Sequence, residues 1–329
     1  MIFIALILTR SDGVGAQVVS DRMPALAVPV ACTVGVDCFI QNHVDNDPGP
    51  GRLDHACGRL SYDGEKGTDF RVRNLPAMRG GVEVLAAADG LVVGVRDGEP
   101  DEDVRTRGRA AVAGREAGNG VVLDHGDGWQ TQYSHLRRGS VAVRPGDRVR
   151  AGDRLGRIGL SGLTEFPHLD FAVRHHGRTV DPFVGPGGWT GCGGVRRPLW
   201  SADALRMLVY RATGVLSAGF APDAADAGRA RDGAYDGPLP AGAPALVFWA
   251  DLFGAEAGDR QSIRVTGPDG RTVVADDDVL AASNVSWFAF AGRRAPPGGW
   301  PPGPYTGTYR LERAGAVVAE TSATVRIGP

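Results

Sequence analysis

The sequence predicts an all-β protein: a small antiparallel β domain followed by an immunoglobulin-like β-sandwich. Three observations point there. Short apolar, β-branched runs recur about every ten residues, separated by Gly- and Pro-containing turns. Glycine, at 49 of 329 residues, is about twice its average share, which favours turn-rich β architecture over helical bundles. The length suits about two domains, and a hydrophobic content of 43% is enough to give each a core. Lys plus Arg is 36 and Asp plus Glu is 38, a formal net charge of −2. That excludes a polybasic nucleic-acid binder and leaves no bulk charge to hold an anionic membrane.

The elements follow in chain order. Residues 1–16 open with the apolar run MIFIALIL and close on Val14-Gly15-Ala16, and we read them as a secretion signal. The run is far shorter than the roughly 20 residues a membrane span needs. No later segment is long and apolar enough to span a bilayer, so an exported protein, periplasmic or extracellular, is expected. Residues 17–62 are polar, with a turn at Asp47-Pro48-Gly49-Pro50-Gly51, and read as a cysteine-tethered leader. From 63 to 185 the runs VEVLAA, GLVVGV, NGVVLDHG, WQTQYSHL, GSVAV, GDRVRAGDRLGRIG and HLDFAV predict the strands of the first domain. Residues 97–118 are charged, lack a strand pattern and read as an exposed insertion. Residues 186–206 read as a linker.

From 207 to 329 about seven runs predict the sandwich, with Pro268-Asp269-Gly270 as a hairpin turn and residues 222–236 as a loop. Its Trp249, Trp287, Trp300, Tyr305 and Tyr309 are expected mainly in the core. The loop from Trp300 to Tyr305 is the expected exposed contact. The four cysteines, Cys32, Cys38, Cys57 and Cys192, favour disulfides in an exported chain, and three pairings exist. If Cys32 pairs locally with Cys38, then Cys57 and Cys192 would staple the two ends of the central domain.

The chemistry concentrates in three segments: Glu65 to Phe70, Thr131 to Leu136, and Pro167 to Phe171. Alternate residues of a strand share a face. His168 and Asp170 can therefore enter one cleft while Leu169 and Phe171 pack inward. Imidazole and carboxylate on one face suit a metal-activated water, which needs ligands and a group that moves protons.

Taken in order with their flanks, these segments resemble the lysostaphin-like (LytM-type) zinc endopeptidases of bacterial cell walls. The resemblance covers about 63–183. It is carried by Gly67-Thr68-Asp69-Phe70, Gly118-Asn119-Gly120-Val121-Val122, Leu123-Asp124-His125-Gly126 and Tyr133-Ser134-His135-Leu136. Val143-Arg144-Pro145-Gly146, Gly159-Leu160-Ser161-Gly162 and Asp181-Pro182-Phe183 continue it. The family's first ligand is a His four residues before an Asp; here Glu65 holds that place and Asp69 is the Asp. The family's third ligand is the second His of a His-x-His pair; here it is Asp170. The two catalytic histidines match His135 and His168. His55, ten residues upstream of Glu65, is the one substitute imidazole ligand considered.

This departure has a charge consequence. A His, Asp, His set with Zn²⁺ is net +1, whereas Glu65, Asp69 and Asp170 with the same ion leave −1. The Lewis acid is weakened and the pKa of bound water rises. Oxygen ligation also suits Mg²⁺, Mn²⁺ or Ca²⁺ better than zinc. Without an ion, one carboxylate should protonate or swing away. The resemblance implies peptidoglycan peptides as substrate and amide hydrolysis as reaction. Two readings compete: a hydrolase with changed or impaired metal dependence, and an inactive protein that binds peptidoglycan or regulates another cell-wall hydrolase. The groove is expected between residues 97–118 and Thr164-Glu165-Phe166.

Overall fold

A computed structural model describes residues 23–328 except position 241, so the expected signal at 1–16 lies outside the described residues. Among the described residues no helix is long and apolar enough to cross a membrane. The strands of the first domain are β1 (Cys38–Asn42), β2 (Thr68–Val72), β3 (Glu83–Leu85), β4 (Gly90–Arg96), β5 (Asn119–Gly126), β6 (Trp129–Leu136), β7 (Arg148–Val149), β8 (Arg154–Arg157), β9 (His168–His175) and β10 (Arg178–Thr179). The main antiparallel sheet runs β1-β2-β9-β6-β5-β4-β7, with β10 on β9, and β3 pairs β8 apart from it. The GSVAV run does not join a ladder. Val141 and Val143 pack half-buried against the core, and Ala142 N–H donates to the Leu155 carbonyl at 2.9 Å.

The core lies on one face of this sheet, where Phe70, Tyr133, Leu169 and Phe171 are fully buried. The stretch read as a leader has no core of its own. Leu26, Val30, Cys38 and Ile40 belong to the first domain's core, as do Leu199 and Trp200 of the expected linker. Both bonds of the local-plus-staple pairing are present, Cys32–Cys38 and Cys57–Cys192. Helix α1 (Leu75–Gly80) starts where Asn74 accepts from Ala77 N–H at 2.9 Å. The insertion 97–118 lies between β4 and β5. It carries the one-turn helix α2 (Val104–Arg107), and Val104 and Val112 anchor it.

After α3 (Ala202–Met207) the second domain is built from β11 (Gly214–Ala221), α4 (Ala227–Arg231), β12 (Ala245–Ala255), β13 (Arg260–Thr266), β14 (Thr272–Val279), β15 (Asn284–Arg294), β16 (Gly303–Arg313) and β17 (Ala316–Ile327). Sheets β11-β12-β15 and β14-β13-β16-β17 share one core of Phe248, Ile263, Val265 and Tyr309. The β13–β14 hairpin turns at Gly270, whose φ of 76° is easy only without a Cβ.

Two expectations need correction. Residues 222–236 are not simply a loop, because the Asp226 carboxylate caps α4 by accepting from Arg229 N–H at 2.8 Å. The aromatic ends of the Trp300–Tyr305 segment are not exposed, and only Pro301, Pro302 and Pro304 between them are. Trp300 and Tyr305 are buried, the indole N–H donating to the Ala243 carbonyl at 3.2 Å and the phenol to that of Pro301 at 2.9 Å.

The two domains meet through buried side chains. Phe39 and Leu60 pack with Leu216 and Phe253 of the sandwich. Arg71 on β2 and Asp251 on β12 are 1% and 0% exposed and lie 3.6 Å apart. Asp251 also takes two hydrogen bonds from Arg231 of α4, at 2.8 and 2.7 Å.

Candidate metal centre

Strand β2 is buried on both faces, so its alternation serves two purposes. Thr68, Phe70 and Val72 share one face, while Asp69 and Arg71 share the other. Asp69 pairs in register with Asp170 of β9, and Arg71 with His168. The sheet thus sets these four side chains side by side on the face away from the core. Glu65 arrives from the turn before β2. Its Oε1 accepts from Lys66 and Gly67 N–H at 2.7 and 2.8 Å. Oxygens of Glu65, Asp69 and Asp170 all lie within 4.8 Å of one another. Gly67 permits this approach, since a Cβ there would fall 1.8 Å from Asp170 Oδ1.

His135 reaches the same place by a different device. Tyr133 faces Phe171 in the core and Ser134 faces Asp170, so plain alternation would turn His135 inward. A bulge intervenes. Between the Asn119–Leu136 and Val121–Tyr133 pairs, β6 advances three residues against two on β5. His135 takes a φ of 61°, rare for a residue with a Cβ. Its ring then lies 4.7 Å from that of His168, centroid to centroid.

The tautomers follow from the partners. His135 Nδ1 is 2.7 Å from the Ser161 carbonyl and His168 Nδ1 is 2.9 Å from that of Phe166. A carbonyl only accepts, so both rings donate from Nδ1 and keep Nε2 as a lone pair. Burial lowers the His135 pKa to about 4. Burial, then His135 and Arg71, holds His168 well below its usual range. The 3.4 Å approach of His168 Nε2 to Asp69 Oδ1 thus sets a carboxyl group against a ring whose charged form burial disfavours.

The three acids behave in the opposite sense. Burial, then Glu65 and Asp170, raises Asp69 well above its usual range, although Asn42 donates to its Oδ2 at 2.7 Å. Asp170 is pushed up to about 7 by burial and by Glu65, and Glu65 is raised mainly by burial. Glu65 Oε2 and Asp170 Oδ1 are buried without any donor. Buried, donorless carboxylate oxygens converging on one point are the complement of a cation, and an all-oxygen set fits a hard divalent ion.

All five residues singled out from sequence are thus brought together. His55 is not among them. It lies 4.6 Å from His43 and stacks on Phe183 at 4.3 Å, between ring centroids. Sequence reasoning missed Asn42, which no local signal marks. It also missed Arg71, which the two-residue spacing from Asp69 could have placed. The site opens into a groove of about 620 Å³, bounded by Val104, Arg105 and Arg109 of the insertion and by Leu163 to Phe166. Arg231, Val285 and Ser286 of the sandwich complete its lining.

Residues 64–182 match Peptidase family M23. A Haemophilus influenzae protein described as an uncharacterized metalloprotease is 31% identical over 144 residues, 44% of this chain and 25% of that one. The peptidoglycan DD-endopeptidase ShyA of Vibrio cholerae is 33% identical over 132 residues, 40% of this chain and 25% of that protein. The murein hydrolase activator EnvC of Escherichia coli is 34% identical over 95 residues, 28% of this chain and 22% of its own length. The chain thus spans about a quarter of the length of these relatives. Matched over residues 64–182, which carry Glu65, Asp69, His135, His168 and Asp170, the first domain is a Peptidase family M23 domain of the LytM type.

Proposed function

We propose that this protein is an exported, peptidoglycan-directed metallopeptidase-like protein with a carboxylate-only metal centre and a changed or impaired metal dependence. The observation that carries this reading is the convergence of Glu65, Asp69 and Asp170 within 4.8 Å, with two buried oxygens left without donors. These three side chains would hold a divalent cation, whose contribution when bound is Lewis acidity toward water or an amide carbonyl. Zinc is the family's ion, and the oxygen set also suits Mg²⁺, Mn²⁺ or Ca²⁺.

The histidines do the proton work. Burial disfavours the charged form of each, each is anchored through Nδ1, and His168 turns Nε2 toward Asp69. Such a ring takes a proton from an attacking water and, once charged, returns it to the departing amine or donates to the tetrahedral oxyanion. The rings lie 4.7 Å apart, and the one that has taken the water's proton is the one that can then donate it. Peptidoglycan stem peptides or cross-bridges are the proposed substrate, in keeping with the relative named as a peptidoglycan endopeptidase.

The test is metal analysis of purified protein combined with dye release from labelled sacculi. Bound metal, turnover abolished by a chelator, and loss of turnover in His168→Ala are expected. A second reading has its own support, because the set contains no imidazole and one relative is named a hydrolase activator. Metal-free protein with no turnover under added Zn²⁺, Mn²⁺ or Mg²⁺ would leave a catalytically silent binding or regulatory protein instead.

A further inference from the structure

The geometry points to a composite carboxylate-recognition site: the groove selects a peptide bearing free carboxylates beside the scissile bond, read by Arg52 of the first domain and Arg231 of the sandwich. This rests on the reading above and deepens it by naming the substrate class.

Charge comes first. Five guanidiniums line the groove, those of Arg52, Arg71, Arg105, Arg109 and Arg231, against the carboxylates of Asp69, Asp170 and Glu165. Some of this charge is committed within the protein. Arg71 is held by Gln41 and Asp251, and Arg105 by Asp103 and Glu165. Arg52 is half-buried and makes no ion pair or side-chain hydrogen bond among the described residues. It faces the groove without an internal counter-charge.

Arg231 is a pre-set donor. Asp251 fixes it with two bonds at 2.8 and 2.7 Å, and its Nη2 also donates to Ser286 Oγ at 2.9 Å. Its side chain is still 19% exposed, so the anchored head remains accessible from the groove. Anchoring lowers the ordering cost of gripping a ligand. Asp251 is shared with the buried Arg71, so the residue that docks the sandwich on the first domain also aims Arg231. A neutral glycine bridge would leave Arg52 unmatched, whereas a stem-peptide carboxylate offers it a planar acceptor suited to a guanidinium fork, with Arg231 beside it as a further donor.

The experiment is fluorescence anisotropy with three labelled probes on the full chain. They are a stem tetrapeptide with free carboxylates, the same peptide with those groups as carboxamides, and pentaglycine. Binding is read with wild type, Arg52→Gln, Arg52→Lys and Arg231→Gln, and a sacculus pull-down is run in parallel. Wild type should prefer the free-carboxylate peptide by about tenfold, a preference that weakens with salt. Arg52→Gln and Arg231→Gln should each reduce it to about threefold or less, and Arg52→Lys should restore part of it. Arg52 holds no internal partner, so its variants keep the test valid if Arg231→Gln disturbs folding.

Equal binding of the carboxylate and carboxamide forms overturns the inference, as does an unchanged preference in Arg52→Gln. Tighter pentaglycine binding overturns it while leaving the peptidoglycan reading in place. No binding of any probe, with no sacculus capture, removes both.

Discussion

Gly67 shows how narrow the tolerance at the acidic cluster is. A methyl group there would fall 1.8 Å from Asp170 Oδ1, so Gly67→Ala must displace that carboxylate. The expected result is lost divalent-metal binding by calorimetry and a stability loss of about 1–3 kcal/mol in urea titration. The identity of the ligands admits a complementary test. Glu65→His with Asp170→His recreates the family's donor set around Asp69 and changes the site's charge by two units. Zn²⁺ affinity should rise by about tenfold or more, worth ~1.4 kcal/mol or above, in competition titrations. Activity appearing only in the double variant would identify the natural site as degenerate. At this scale the sequence was readable where spacing carries direction. Asp69, His168 and Asp170 follow from strand alternation and the family motif. Asn42 was not readable, because its meeting with Asp69 depends on a strand pairing between residues 27 apart.

Among the elements, the Cys57–Cys192 bond closes 135 residues of chain around the first domain. Loop-closure entropy puts its stabilisation at up to about 5 kcal/mol. Cys57→Ser with Cys192→Ser should therefore unfold at clearly lower denaturant than the parent, and a reductant should shift the parent further than the variant, which keeps only Cys32–Cys38. The strand runs beginning at Gly90, Asn119, Trp129 and His168 lie where the apolar spacing puts them, with β5 alternating between core and outside and β6 and β9 buried on both faces near the site. GSVAV packs through Val141 and Val143 and bonds the Leu155 carbonyl through Ala142 without joining a ladder. Helix α4 escaped notice because a one-turn helix is too short for a period, leaving its Asp226 cap as the only signal. The bulge in β6 was invisible for a deeper reason. It depends on β5 supplying one residue fewer than β6 across the pair, and no single strand's sequence records that mismatch.

At the scale of the whole molecule the domains are joined by charge as well as by apolar contact. Asp251→Asn would leave Arg71 buried with an unpaired charge, and a loss of about 3–5 kcal/mol is expected in equilibrium unfolding. The junction is also sensitive to acid. Burial lowers His43 well below its usual range, with His55 adding to the effect. Burial brings His55 to about 4, with Asp54 opposing and Arg196 assisting. A histidine depressed in the fold contributes its full stability above its unfolded value near 6.5 and loses it as pH falls toward the folded value. His55 alone should thus withdraw ~3 kcal/mol between pH 6.5 and 4, while Asp170, raised to about 7, acts with the opposite sign as pH falls. Urea melts of the parent and of His55→Phe across that range check this: the parent's unfolding free energy should drop relative to that of the variant as pH falls from 6.5 to 4. The sequence by itself determined the all-β class and the family of the first domain. Those properties are written in local periodicity and short motifs. Tertiary structure alone decided that His135 turns into the groove and that Arg71 and Asp251 bind the domains together. It also decided that the sandwich supplies a wall of the site. Each of these depends on which distant strands become neighbours, a property of the packed chain that local pattern does not carry.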